Sequence, residues 1–157
     1  MTDIDVFVQQ VHDRVLAYPK CSHEQGLVYA CEDVVDAILG SPVIDARVAR
    51  DFVESVCHSQ DIDPPEILRG RSQKVRATAD VDSWTICVQE RNTTSSVLLH
   101  EIAHLSVGVD SHGVLFRDEL VRLMRAHASV EHAALLHSLF LRLDLDIGPW
   151  GASAHQK

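Results

Sequence analysis

Asn92-Thr93-Thr94-Ser95-Ser96-Val97-Leu98-Leu99-His100-Glu101-Ile102-Ala103-His104-Leu105 is the stretch on which the reading of this chain turns. Its first five residues offer amides and hydroxyls that can cap a helix N-terminus. An apolar run follows, and Leu98, Ile102 and Leu105 recur at i, i+4 and i+7, the stripe of a helix that faces a core. At 3.6 residues per turn, His100 and His104 then lie one above the other on a single face. Two imidazoles so placed can aim ring nitrogens at one metal ion. Glu101, one step round the helix, can reach a water on that ion and take its proton. His-Glu-x-x-His on a helix is a known zinc-hydrolase pattern, and chance would place only roughly 0.03 such pentads in a chain of this composition.

The flanks support the pentad. Upstream, Trp84-Thr85-Ile86-Cys87-Val88-Gln89 alternates and is rich in β-formers, which predicts a strand. Downstream, Val107-Gly108-Val109 ends the helix, and glycine permits a sharp turn that can bring a later ligand back. Zinc hydrolases keep three protein ligands and leave a fourth position for water. His112, in Asp110-Ser111-His112-Gly113, is the preferred third ligand. Asp110 is the nearest competitor, and Glu119 or Glu131 could serve from a following helix. With His112 as ligand, Asp110 reads equally well as a group orienting an imidazole N–H or as a plain turn aspartate.

His100-Glu101-x-x-His104 followed by His112-Gly113-Val114-Leu115-Phe116 resembles a small family of actinobacterial and actinophage zinc metallohydrolases. In motif it is also similar to the SprT-like minimal zincin metalloproteases, which pair the same helix with a later His-Gly-x-x-Phe. Gln25-Gly26-Leu27-Val28-Tyr29-Ala30-Cys31-Glu32-Asp33 resembles the "RVYxAE" helix of the small family, and Phe116 to Ile147 its C-terminal helical part. The likeness covers roughly residues 24–148. Val114 stands where such proteins often carry proline, a departure that touches no ligand. The resemblance implies a metal-dependent hydrolase, peptidase-like, on peptide or protein substrates. In zincin-like proteases a strand beside the site helix often pairs with an extended substrate, and Thr85–Gln89 is the strand expected there.

The expected fold is therefore α+β and zincin-like, with a small, mostly antiparallel sheet packed against helices that include the site helix. One domain spanning residues 1–157 is expected from the length, with residues 1–20 as a candidate N-terminal helical extension, loosely attached. Periodicity predicts helices from Asp3 to Tyr18, His23 to Leu39, Asp45 to His58, Val114 to Ala128 and Val130 to Leu143. The third would bury Val48, Phe52, Val53 and Val56. The last two would be stitched by Leu115, Leu120, Leu123, Met124, Leu135, Leu139 and Phe140. Asp63-Pro64-Pro65 breaks the chain, and Ile67 to Val88 holds two or three short strands.

Composition bounds the partners. Hydrophobic residues make up 46% and charged residues 24%, ordinary for a globular protein. No apolar run approaches the ~18 residues needed to span a membrane. Met1-Thr2-Asp3-Ile4-Asp5 lacks the features of a signal peptide, so the expected location is cytoplasmic. Cys21, Cys31, Cys57 and Cys87 form no C-x-x-C pair and read as free thiols. A second zinc site from Cys21, His23, Cys57 and His58 matches no common finger spacing. Residues 1–66 carry thirteen acidic and four basic side chains, which accounts for the whole net charge of −9. That disfavours adsorption to nucleic acid. Arg69, Arg71, Lys74 and Arg76 form a short basic cluster, read as charge protecting a loop and an edge strand.

The mechanism implied is hydrolysis by a zinc-bound water with Glu101 as general base. Arg117, Arg122 and His127 are candidates for stabilising an oxyanion, a surface role being the commoner one for each. His127, His132 and His137 are five apart, a spacing that repeats on no helix face, and read as surface or packing residues. Two other functions fit the pattern less well. A non-catalytic regulatory protein on a zincin scaffold would not need Glu101, since structural zinc sites require no general base. A hydrolase of a non-peptide bond is compatible with three histidines.

Overall fold

Thr94 starts the site helix, here α4 (Ser95–Val107), by accepting the Val97 N–H on its hydroxyl at 3.3 Å. The geometry is that of a computed structural model, described over residues 2–70, 77–89 and 93–150. In chain order the other helices are α1 (Asp3–Arg14), α2 (His23–Leu39), α3 (Ala46–Ser59), α5 (Val114–His127) and α6 (Val130–Arg142). A single 3₁₀ turn, Val15–Ala17, follows α1. Strands β1 (Glu66–Gly70), β2 (Ala77–Asp80) and β3 (Thr85–Gln89) make the sheet. Among the described residues this is an α+β protein with six α-helices and one three-stranded mixed sheet. No helix there is long and apolar enough to cross a membrane. The chain divides into two units, Ser41–Ser111 and the residues flanking it on both sides.

Within Ser41–Ser111, α4 is held at both ends. The Ser41 hydroxyl accepts the Ser96 N–H at 3.1 Å, and Pro42 O accepts the Ser95 N–H at 3.0 Å. The residues just past Ser41 run beside this start, where Val43 bridges Thr94. These bonds satisfy donors that a helix N-terminus otherwise leaves orphaned. At the other end Gly108 takes the left-handed conformation, φ +70°, and its N–H closes on His104 O at 2.9 Å. Between the caps, Leu98, Leu99, Ile102 and Ala103 are completely buried. The stripe read from the sequence is therefore core, and the burial extends round most of the helix.

The sheet corrects the expected pairing. β2 and β3 are joined by a short turn in which Asp80 Oδ1 accepts the Ser83 N–H at 3.0 Å, and they pair antiparallel. β1 pairs parallel with β3 on its other side, Ile67 opposite Ile86, so the order is β1-β3-β2 and the sheet is mixed rather than mostly antiparallel. Short alternating strands give their buried faces away but not their neighbours. β3, expected to lie beside the site helix with an edge to offer, is instead the central strand. β2 is the edge strand that packs on α4. α3 is capped by Asp45, whose carboxylate accepts the Arg47 N–H at 2.9 Å. It buries Ala49, Val53, Val56 and Cys57, while Val48 faces solvent. Of the basic cluster, Arg71, Lys74 and Arg76 lie outside the described residues, as does the cap candidate Asn92.

The other unit is helical. α2 runs over the span expected for it, capped by Ser22, whose hydroxyl accepts the Gln25 N–H at 3.2 Å. It ends at Gly40, φ +80°. Gly26 lets the 3₁₀ turn approach: a Cβ there would sit 3.0 Å from Val15 Cγ2. The first helix ends four residues earlier than expected, at Arg14. α1 packs on α2 and α6 and buries Val11 completely. α5 and α6 pack on each other, and Phe116, Leu120, Leu123, Leu136, Leu139 and Phe140 are buried on them. Leu115, expected in that seam, is instead exposed.

Candidate metal centre

The i, i+4 spacing on α4 does what helix geometry requires. His100 and His104 are both buried, and their Nε2 atoms stand 3.2 Å apart. His104 Nδ1 lies 3.0 Å from Val109 O. A carbonyl only accepts, so Nδ1 carries the proton and Nε2 presents a lone pair. Zn–N bonds of ~2.0–2.1 Å in a tetrahedral arrangement put two ligand nitrogens about 3.4 Å apart, close to what is seen here. Burial, and the His100 ring beside it, push the His104 pKa down to about 4, against a smaller upward pull from the Val109 carbonyl. At neutral pH this imidazole is uncharged, the form that binds metal. The carbonyl of Val109, delivered by the Gly108 turn, takes the orienting role considered for Asp110, which is exposed.

His112 is buried too, and residues of its own unit pack on it. The rings of Tyr29 and Phe116 pack edgewise on it at centroid distances of 5.0 and 4.8 Å. The side-chain amide nitrogen of Gln25 lies 3.3 Å from His112 Nδ1. Its backbone carbonyl accepts from Arg117 Nη1 at 2.8 Å. His100, His104 and His112 could each contribute one ring nitrogen to a metal ion. Among the described residues no other three His, Cys, Asp or Glu side chains form a group that could do so. The four cysteines are free, and the Cys21–Cys57 grouping makes no site there.

Glu101 follows His100 on α4 and is buried. Its Oε2 accepts the N–H of Ala79 on β2 at 2.8 Å. The edge strand therefore fixes one carboxylate oxygen. In an antiparallel ladder, alternate residues turn their N–H and C=O away from the partner strand. Ala79 is such a residue, because its N–H leaves β3 for α4, and Ala77 shares its orientation.

The remaining candidates are committed elsewhere. Glu119 pairs with Arg122 at 2.6 Å on α5, and Glu131 is an exposed residue at the start of α6. Arg117, a candidate for an oxyanion, is buried instead. Its guanidinium donates to Glu24 Oε1 at 2.6 Å, to His112 O and to Asp146 O at 2.8 Å. It is an anchor for the third histidine's backbone. His127 is half-buried, and burial with Arg122 nearby lowers its pKa. His132 and His137 pack as expected, reaching the carbonyls of Gly40 at 2.7 Å and Gly148 at 2.8 Å. The parts missed in the sequence are Gln25, Ala79, the Val109 carbonyl and the anchoring work of Arg117. Two of the four act through the backbone, where residue type carries no signal.

No protein-family model matches this chain, and no curated protein matches it. Among solved structures it is similar to the metallopeptidase zymogen jannalysin of Methanocaldococcus jannaschii, with a TM-score of 0.44 and 17% identity. The match covers 66% of this chain and 100% of that one. At that score and identity no chemistry transfers from one protein to the other.

Proposed function

We propose that this chain is a zinc-dependent hydrolase of zincin type, a metallopeptidase, with His100, His104 and His112 as ligands and Glu101 as general base. The observation that carries the reading is the pair of Nε2 atoms 3.2 Å apart on α4 with a buried glutamate between them in sequence. Three imidazoles suit zinc, though copper, iron and nickel accept the same donors. Zinc bound there would polarise a scissile carbonyl and acidify a water. Glu101 accepts the proton of the attacking water and returns it to the leaving amine. The Ala79 N–H holds its other oxygen, so the carboxylate is oriented before substrate arrives. An extended peptide would lie along β2, whose outward N–H and C=O groups at Ala77 belong to a sheet edge. The four free thiols suit the reducing cytoplasm.

Glu101→Gln tests the division of labour. Glutamine keeps the side-chain length and an acceptor for Ala79 but loses the basic carboxylate. The zinc-loaded variant should bind the ion as the wild type does and cleave casein-type or mixed peptide substrates at least ~10²-fold more slowly, the low end for general acid–base catalysis. Equal turnover by both proteins would remove Glu101 from the reaction. A wild type that cleaves nothing in a broad peptide screen would shift the reading to a non-peptide bond or a binding scaffold.

A further inference from the structure

His104 and His112 are oriented by different kinds of group. His104 turns Nδ1 to a main-chain carbonyl, which can only accept. His112 turns Nδ1 to the side-chain amide of Gln25, whose nitrogen lies 3.3 Å away. An amide can act either way. Its nitrogen donates, its oxygen accepts, and a half-turn about the last side-chain bond exchanges them. A neutral imidazole carries one N–H and one lone pair, so whichever face Gln25 shows decides which nitrogen of His112 bears the proton. With the amide nitrogen toward Nδ1, the proton sits on Nε2, and that atom has no lone pair to offer. With the amide oxygen toward Nδ1, the proton sits there and Nε2 becomes a donor to metal.

We propose that Gln25 is the positioning residue of the third ligand: on metal binding its amide makes the half-turn that replaces the nitrogen facing Nδ1 by the oxygen, accepts Nδ1–H of His112 and so selects the tautomer that binds the ion through Nε2. This rests on the metal-site reading above. The surroundings leave the amide as the part free to choose. The His112 ring is wedged between Tyr29 and Phe116, and its backbone is tied down by buried Arg117. Gln25 itself is fixed in the first turn of α2, where the Ser22 hydroxyl accepts its N–H. Its side chain is half-buried, so its replacement need not disturb a core. Outer hydrogen-bond partners of metal-bound histidines are worth about 10–100-fold in affinity.

Gln25→Leu removes the hydrogen bond at similar size, and Gln25→Glu keeps an acceptor that can favour only the binding tautomer. Zinc affinity, measured by competition with a chromophoric chelator, should fall about 10–100-fold for the leucine variant. The glutamate variant should bind at least as tightly as the wild type. Far-UV circular dichroism and the melting temperature of the chelated proteins should not change. Nitrogen NMR of the zinc-loaded wild type should show a protonated, slowly exchanging His112 Nδ1 that the leucine variant lacks. His112→Ala separates the two levels. Wild-type zinc affinity in that variant would sink the ligand set itself. Loss of zinc in His112→Ala with wild-type affinity in Gln25→Leu would leave the ligands standing and overturn the role of Gln25. A Gln25→Glu protein as weak as Gln25→Leu would also overturn it.

Discussion

The two histidines on α4 and the one that opens the flanking unit reach their places by different physics. For His100 and His104 the helical repeat is enough: four residues of separation bring their Nε2 atoms to 3.2 Å. The carbonyl that orients His104 comes from Val109, five residues on. His112 is arranged at long range. Its ring partner Gln25 is 87 positions away, and its backbone anchor Arg117 is itself tied to Glu24, 93 positions away, and to Asp146. A ligand pair written into one helix forms whenever that helix forms. An imidazole held by α2, α5 and the segment after α6 is placed only when those elements have packed.

The largest effect should come from removing the proposed ligands. His104→Ala and His112→Ala should each weaken zinc binding by more than about 100-fold, beyond the range for an outer hydrogen-bond partner. Chelator competition reads this directly. Chelated wild-type protein should keep its helical circular dichroism, because each unit buries an apolar core of its own. Collapse on chelation would mean that the ion builds the fold and would erase the contrast between a preformed pair and an assembled third ligand.

A pair of phenylalanines sharpens the comparison next. Phe116 and Phe140 are both fully buried in the same unit, but only Phe116 packs on the His112 ring. Truncating either to alanine should cost about 3–5 kcal/mol of stability, the usual range for a buried aromatic. Urea unfolding would measure it. Phe116→Ala should also weaken zinc binding, measured under conditions where both variants remain folded, while Phe140→Ala should leave it near wild type. Equal zinc affinity in the two variants would show that the third ligand needs no ring packing.

What could be read in the sequence follows the same division. The pentad, the span of α2 and the glycine that ends α4 are local facts, set by period and by caps, and they were legible. The neighbours of β3 were not, because a five-residue strand has one face to bury and nothing in it that names its partners. Arg117 read as a surface cation, because an arginine is normally exposed and its acceptors, a glutamate on α2 and two backbone carbonyls, are visible only once the chain is folded. Val48 and Leu115 read as core and face solvent, since apolar residues at helical spacing can fall one position off the buried arc.

The smallest effect expected is at Gly108, and it tests the local half of the comparison. Its φ of +70° lies in the region that side chains with a Cβ avoid, and a Cβ built there would meet nothing within 4 Å. Gly108→Ala should therefore cost only the backbone penalty, about 1–2 kcal/mol, with no steric addition. Asparagine, which visits the left-handed region more readily, should cost less than alanine. The turn delivers the Val109 carbonyl to His104 Nδ1, so relaxing it should also loosen that imidazole. Zinc affinity should fall, but by less than when a ligand is removed. Urea unfolding of the chelated proteins separates the backbone cost from the metal effect. If alanine lowers stability while zinc binding is untouched, the helix alone orients His104 and the Val109 bond is incidental. If the affinity falls more than in His112→Ala, the turn governs the site more strongly than the long-range framework around His112 does.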